Sequence, residues 1–238
     1  MRPIKDKIHS IAENDSFLSS ATLKRDNIIL LISIILLGFI LPIIKIDIIR
    51  DWGFDLLISA LILSCIASLK FKKEKFIRLS YMGLFTLALV WLNHLIEIPE
   101  TKLLAFGCLT IFLIYITLSM VKHVSASKDV NSIMLLNAIN SYLLIGIIGS
   151  FLFISIDVVY TNFFDLQHAM NFNNIADPKF HDYIYFSFVT LTTLGFGDIT
   201  PNIPIAKSLT VSLSLLGQLY LTILVAMLVG KYLSQSKN

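Results

Sequence analysis

At 238 residues, 56% hydrophobic and only 15% charged, with a mean hydropathy of +0.79, the chain carries too few charges for an ordinary soluble domain and reads as an integral membrane protein. Its net charge of +3 comes from 19 basic and 16 acidic side chains, a balance that suits loops at anionic lipid head groups; no interleaving of basic and aromatic residues marks a groove for nucleic acid. Cys65 and Cys108 lie inside apolar runs, which argues against a disulfide framework or a metal cluster and for small buried hydrophobes.

The first 26 residues are polar, with nearly cancelling charges, and lack the short apolar core and cleavage site of a signal peptide. A cytosolic cap is expected over 1–26. Asn27–Ile44, Phe54–Phe71, Leu79–Ile96 and Leu103–Val121 then each have about the length needed to cross a hydrocarbon core of about 30 Å. The second crosses only if Asp55 and Lys70 snorkel to the interfaces. Between the second and third, KFKKEKFIR places Lys70, Lys72, Lys73, Lys75 and Arg78 in one short loop, suited either to anionic lipid head groups or simply to fixing topology.

Asn93, His94 and Glu97 end the third span just before Pro99 and are expected to form a solvated helix boundary. The fourth span contains no basic residue; Lys102 sits at one end and Lys122 and His123 at the other, as interfacial anchors do. A conventional voltage sensor needs charges inside that span, so none is expected. The four helices of 27–121 should instead support the C-terminal half of the chain, through a cytosolic linker at 122–132.

A fifth span lies within the uncharged run Val130–Ile156, where Gly146 and Ser150 suit close helix packing. A long loop carrying His168 and His181 comes next, read as surface residues through which outside protons could act. Tyr183–Gly197 is a further uncharged run of 15 residues that ends in Gly-rich irregular backbone. It is too short to cross and reads as a re-entrant segment, with Asp182 as the N-cap of a short helix. The sixth span lies within Ser208–Gly230, bracketed by Lys207 and Lys231. With the N-terminus inside, Lys45, Arg50, Lys102, Lys179 and Lys207 fall outside and the other 14 of the 19 basic residues inside, which satisfies the positive-inside rule. Both termini are then cytoplasmic.

Within the re-entrant segment, TTLGFGD occupies Thr192–Asp198. Two glycines flanking one aromatic, preceded by small and β-branched residues, suit a backbone that must alternate its carbonyls toward a central axis, because glycine allows the unusual dihedrals this needs. The string resembles the selectivity filter of the potassium-channel pore family, whose carbonyl oxygens replace the hydration shell of a permeating ion. The resemblance extends over YFSFVTLTTLGFGDITP (Tyr185–Pro201) and GQLYLTILVAMLVG (Gly217–Gly230), and SYLLIG (Ser141–Gly146) is similar to the family's outer pore helix; it covers roughly the last hundred residues. The match is to bacterial pore-domain channels, which implies a bacterial inner membrane.

The resemblance implies an all-α membrane protein of six transmembrane helices, with a re-entrant pore helix and filter between helices five and six, assembled as a homotetramer. The pore domain would be 133–232, with a short tail at 233–238. Thr193, Leu194, Gly195, Phe196 and Gly197 would form the filter, with K+ bound at Thr193 to Phe196 as the permeant ion and no cofactor. Thr192, Asp198, Tyr185 and Val189 would support it. Phe196 replaces the commoner tyrosine and loses its hydroxyl, which implies a less firmly held filter. Val189 stands where some relatives carry a glutamate that pairs with the aspartate after the filter; Tyr185 is the candidate replacement partner of Asp198. Gly217 matches the glycine at which inner helices bend, although it could instead admit close packing. Gln218, Leu221, Val225 and Val229 share one helical face and are expected to line the cavity and gate. The alternatives are a non-selective cation channel or, as a more distant reading, a potassium transporter subunit. No enzymatic constellation appears. The chain ends eight residues after Gly230, which leaves no room for an appended ligand-binding domain.

Overall fold

A computed structural model describes residues 21–44, 47–69, 73–96, 98–127, 129–173 and 178–235. It is helical almost throughout. Helix α1 is already formed at residue 21 and runs to 35; a π turn at Leu36–Ile40 and a 3-10 turn at Leu41–Ile43 then carry it past Pro42, which cannot donate a helical hydrogen bond. Four longer helices come after it: α2 (Asp47–Ser68), α3 (Lys73–Ile96), α4 (Pro99–Ala126) and α5 (Ser132–Val158). Pro99 opens α4 at a position where its missing N–H costs nothing. Asn131 caps α5 by accepting from the Met134 amide at 2.9 Å.

Past a π turn at Val159–Phe163, a short strand β1 (Met170–Asn171) precedes α6 (Phe180–Leu191); β2 (Thr200–Pro201) and the 32-residue helix α7 (Pro204–Gln235) complete the chain. The two strands pair antiparallel, Met170 opposite Pro201 and Asn171 opposite Thr200. Neighbours in sequence pack together from α2 to α5, while α6 wedges between α5 and α7.

Among the described residues, four helices are long and apolar enough to cross a membrane: Phe76–Ile96, Pro99–Ala126, Ser132–Phe163 and Pro204–Gln235; Trp52–Ser68 is a shorter apolar helix. α4 and α7 extend beyond their uncharged runs at both ends, because a hydropathy run marks the apolar centre of a helix and not its polar terminal turns; α2 instead ends at Ser68 and α5 begins at Ser132, inside the runs read from the sequence. Residues 21–26, read as part of a polar cap, are already helical, and Asp26 is buried. Lys70, Lys72 and Glu97 lie outside the described residues, and Arg78 is exposed.

One apolar core joins α1 to α6 and the start of α7, built on fully buried Phe112, Phe151, Phe153, Leu30, Ile34 and Leu109. Cys65 is part of it, as a small hydrophobe. A second, smaller cluster gathers Val124 of α4 and Met134 and Ala138 of α5 under Leu224, Met227 and Leu228 of α7. Beside that cluster Lys231 donates from Nζ to the Val124 and Ser125 carbonyls at 2.8 and 3.2 Å, capping the last turn of α4. Lys231→Met should lower the stability of the purified protein by about 1 kcal/mol, a fall of about 2–4 °C in the midpoint of thermal unfolding in detergent; an unchanged midpoint would show that the cap is not holding α7 to α4.

The packing of α2 against the end of α3 differs from the sequence reading. His94 is not a solvated boundary residue: its Nδ1 lies 2.7 Å from Oδ2 of buried Asp55, and its ring sits edge-on to Trp52 at 4.6 Å between centroids. Trp91 completes the cluster by donating to Ser59 at 3.1 Å. Asp55 therefore faces inward between helices rather than snorkelling, because a partner on the next helix comes within reach once α2 and α3 pack.

Candidate ion-conducting site

Helix α6 begins at Phe180 with Lys179 as N-cap residue. Asp182 is not the cap: it sits three positions further on, where its carboxylate accepts from the Lys179 amide at 2.8 Å. The carboxylate sits at the positive end of the helix dipole, which favours its charge.

The seating of α6 depends on two glycines of α5. A Cβ at Gly146 would lie 2.6 Å from the Phe188 ring, and one at Gly149 would overlap the Ser187 hydroxyl. Their absence lets the helix backbones approach until Ser187 Oγ donates to the Gly146 carbonyl at 2.6 Å. On the other side Gly217 of α7 meets the end of α6, where a Cβ would overlap the Leu191 carbonyl oxygen. Gly217 is buried and α7 is uninterrupted through it, so in this conformation the residue serves close approach.

Residues 192–198 leave α6 at its C-terminus. Thr192 is the C-cap, with its amide 2.9 Å and its hydroxyl 2.6 Å from the Phe188 carbonyl. The Leu194 amide, at 3.0 Å, and the Gly195 amide, at 3.4 Å, both donate to the Val189 carbonyl. Val189 thus supports this segment through its backbone, while its side chain is buried. Backbone φ is positive at Thr193 (62°), Gly195 (57°) and Gly197 (78°), every second residue. For β-branched Thr193 that conformation is costly. Leu194 and Phe196 are 61% and 66% exposed in the single chain, so the segment has no apolar cover of its own.

At its far end Asp198 is held twice. Tyr185 Oη donates to Asp198 Oδ2 at 2.5 Å, and Asn173 Nδ2 donates to the Asp198 carbonyl, also at 2.5 Å. The tyrosine hydrogen bond, more than the supporting backbone bonds, holds the exposed Asp198 carboxyl below the usual carboxylate range. Asp198 is therefore ionised at neutral pH.

Along α7, Gln218, Leu221, Val225 and Val229 are all exposed in the single chain, and only Ala206, Leu213 and Gly217 of the helix are buried. Tyr220 ties the helix to α5 by donating to the Ala138 carbonyl at 2.7 Å.

Several site residues escaped the sequence reading. Asp157, at the end of α5, is buried and joins His168, Ala169 and Tyr183. His168 is accordingly not a bare surface residue, since its Nδ1 lies 2.7 Å from Asp157 Oδ2. Asn173, with a positive φ of 40°, reaches the end of the filter-like segment. The available signal was a lone carboxylate closing a long uncharged run, which needs partners if it is to stay charged in an apolar setting.

Comparison with known proteins bears on the same segment. Residues 141–234 match the family described as Ion channel. Over 70 residues the chain is 39% identical to the two pore potassium channel c of Oryza sativa subsp. japonica, a match covering 29% of this chain and 15% of that protein. The chain thus spans only a small part of that relative's length. No solved structure matches. Both likenesses are to ion-channel proteins; the family match falls on α5, α6 and α7, in a chain with four helices long and apolar enough to cross a membrane.

Proposed function

We propose that the protein is a passive, potassium-selective channel in which four copies surround one pore. The observation that carries this reading is the alternation of left-handed backbone at Thr193, Gly195 and Gly197. Reversing handedness at every second residue aims successive carbonyls to the same side, as a stack of ion sites requires. Carbonyls of Thr193, Leu194, Gly195 and Phe196 would take the place of water around K+. The name of the rice relative agrees with that ion.

One copy supplies one wall. The exposed side chains of Leu194, Phe196, Leu215, Leu216, Leu219, Ile223, Val225 and Val229 leave α7 and the filter apolar and uncovered, and three further copies of the chain would cover them. Helix α6, with 12 residues, is too short to cross and would enter and leave the membrane on the outer side. Its C-terminal dipole would then point at the ion path. In this arrangement α1 to α5 and α7 make six spans, with both termini cytoplasmic and a bacterial inner membrane as the setting. Span α4 lacks basic residues between Leu103 and Val121, so voltage does not act through it. Val225 and Val229 would narrow the inner end of the pore, and an apolar constriction of that kind can close by dewetting.

The test is reconstitution of the purified protein in a planar bilayer under a potassium gradient with sodium on both sides. The current should reverse at the potassium equilibrium potential. A reversal that tracks sodium equally would favour a non-selective cation channel, and no current at all would sink the reading.

A further inference from the structure

Asp157 is the one charged residue of α5, and it is buried at the helix's last turn. A buried carboxylate persists only where its lone pairs are occupied. Here Tyr183 Oη donates to Oδ2 at 2.6 Å, the Ala169 amide donates to Oδ1 at 2.6 Å, and His168 Nδ1 lies 2.7 Å from Oδ2. Phe172 stands edge-on to both the His168 and the Tyr183 rings, at 6.0 and 5.2 Å between centroids, closing the apolar side of the cluster.

These partners belong to the two segments that flank the filter. Tyr183 lies in the first turn of α6, which leads into Thr192 and Thr193. Ala169 leads into β1, which pairs with β2 just after the filter, and its own carbonyl accepts from the Asn202 and Ile203 amides at 2.9 and 3.4 Å. Three residues beyond β1's start, Asn173 holds the Asp198 carbonyl. One carboxylate at the end of α5 therefore joins the segment that enters residues 193–197 to the segment that leaves them.

We propose that Asp157 is a positioning residue of the filter, a strut whose hydrogen bonds to Tyr183 and Ala169 fix the span between α6 and the outer loop and so regulate how long residues 193–197 stay conductive. The proposal rests on the reading of 193–197 as a potassium filter. Asp157 does not touch the ion path; it acts through α6 and β1. Losing it lets the ends of the filter drift apart, and an ion occupying the filter opposes that drift by bridging its carbonyls.

The experiment compares the full chain with Asp157→Asn, which keeps the side-chain size but loses the charge and one acceptor, and with Tyr183→Phe, which removes one hydroxyl. Both variants should open with the parent's unitary current and potassium reversal, then inactivate about tenfold faster, the scale expected for a lost charged hydrogen bond. Raising external potassium should slow that inactivation again, and the double variant should inactivate no faster than Asp157→Asn alone. Parental inactivation rates in both variants, or faster rates indifferent to external potassium, would overturn the proposal. Tyr183→Phe carries the test where Asp157→Asn does not fold. Hydrogen exchange of the amides in 166–173 and 198–203 gives a readout that needs no current: it should quicken in the variants, with 141–156 unchanged. Unchanged exchange overturns the strut, whereas a parent without potassium current but with quickened exchange in the variants overturns the channel reading and leaves the strut standing.

Discussion

Gly217→Ala is expected to abolish potassium current and to reduce the yield of assembled protein, although alanine is the better helix former by about 1 kcal/mol. The reason is contact with backbone. A Cβ at Gly217 would overlap the Leu191 carbonyl oxygen and lie 3.0 Å from both the Leu191 carbonyl carbon and its Cδ1. Leu191 is the last residue of α6, immediately before Thr192, so it cannot move without moving the start of the TTLGFGD segment. Nor is there room behind it, since α6 is already pressed onto α5 at Gly146 and Gly149. Overpacking of this kind costs roughly 1–3 kcal/mol per site, and a fourfold assembly would repeat it in every copy. The measurement is potassium flux into liposomes together with cross-linking of the detergent-purified protein. A variant with full unitary current and altered open probability would show that Gly217 acts as a bending point, and would refute the packing account.

Gly195→Ala should also silence the channel, but by a different route and with a different signature. A Cβ at Gly195 meets nothing within 4 Å, so space in the single chain is not the obstacle. The obstacle is its φ of 57°, which costs an L-residue about 1–2 kcal/mol. Thr193 already bears such a cost one step earlier, at φ 62°. Adding a second in each of four copies would raise the strain around one ring of carbonyls by about 4–8 kcal/mol. The backbone would relax toward negative φ and swing those carbonyls off the axis. Assembly should be untouched because Gly195 packs against no helix. The expected result is therefore an intact oligomer by cross-linking with no potassium flux, whereas Gly217→Ala loses both. A potassium-selective current from Gly195→Ala would mean that these carbonyls do not form the ion sites.

The contrast between the two glycines shows where sequence reading stops. For Gly195 the role comes from its place in TTLGFGD, because the need for left-handed backbone is a property of the residue and its immediate neighbours. For Gly217 the sequence allowed bending and packing about equally, and the close approach to the Leu191 carbonyl, on the neighbouring helix, appears only in the tertiary structure. Tyr185 falls between these cases. The absence of a glutamate at Val189 left Asp198 in need of a partner, and Tyr185, on the same short helix, lies 2.5 Å from it. Asp182 was placed on the right turn but at the wrong position, since both N-cap and N3 carboxylates serve a helix start and the sequence does not separate them.

By itself the sequence determined that the chain is apolar and helical, that its basic residues gather in a few short segments, that Leu103–Val121 carries no charge and that the TTLGFGD segment is too short to cross. Each of these is a matter of composition or of residues within a few positions, and hydropathy and glycine chemistry act at that range. The tertiary structure alone decided that Asp157 clasps Tyr183 and Ala169, that His94 pairs with Asp55, that Lys231 caps α4 and that Gly217 abuts Leu191. Those contacts depend on how each helix is rotated about its axis. A helix such as α5, apolar nearly all round, has no polar face to reveal that rotation before its neighbours are in place.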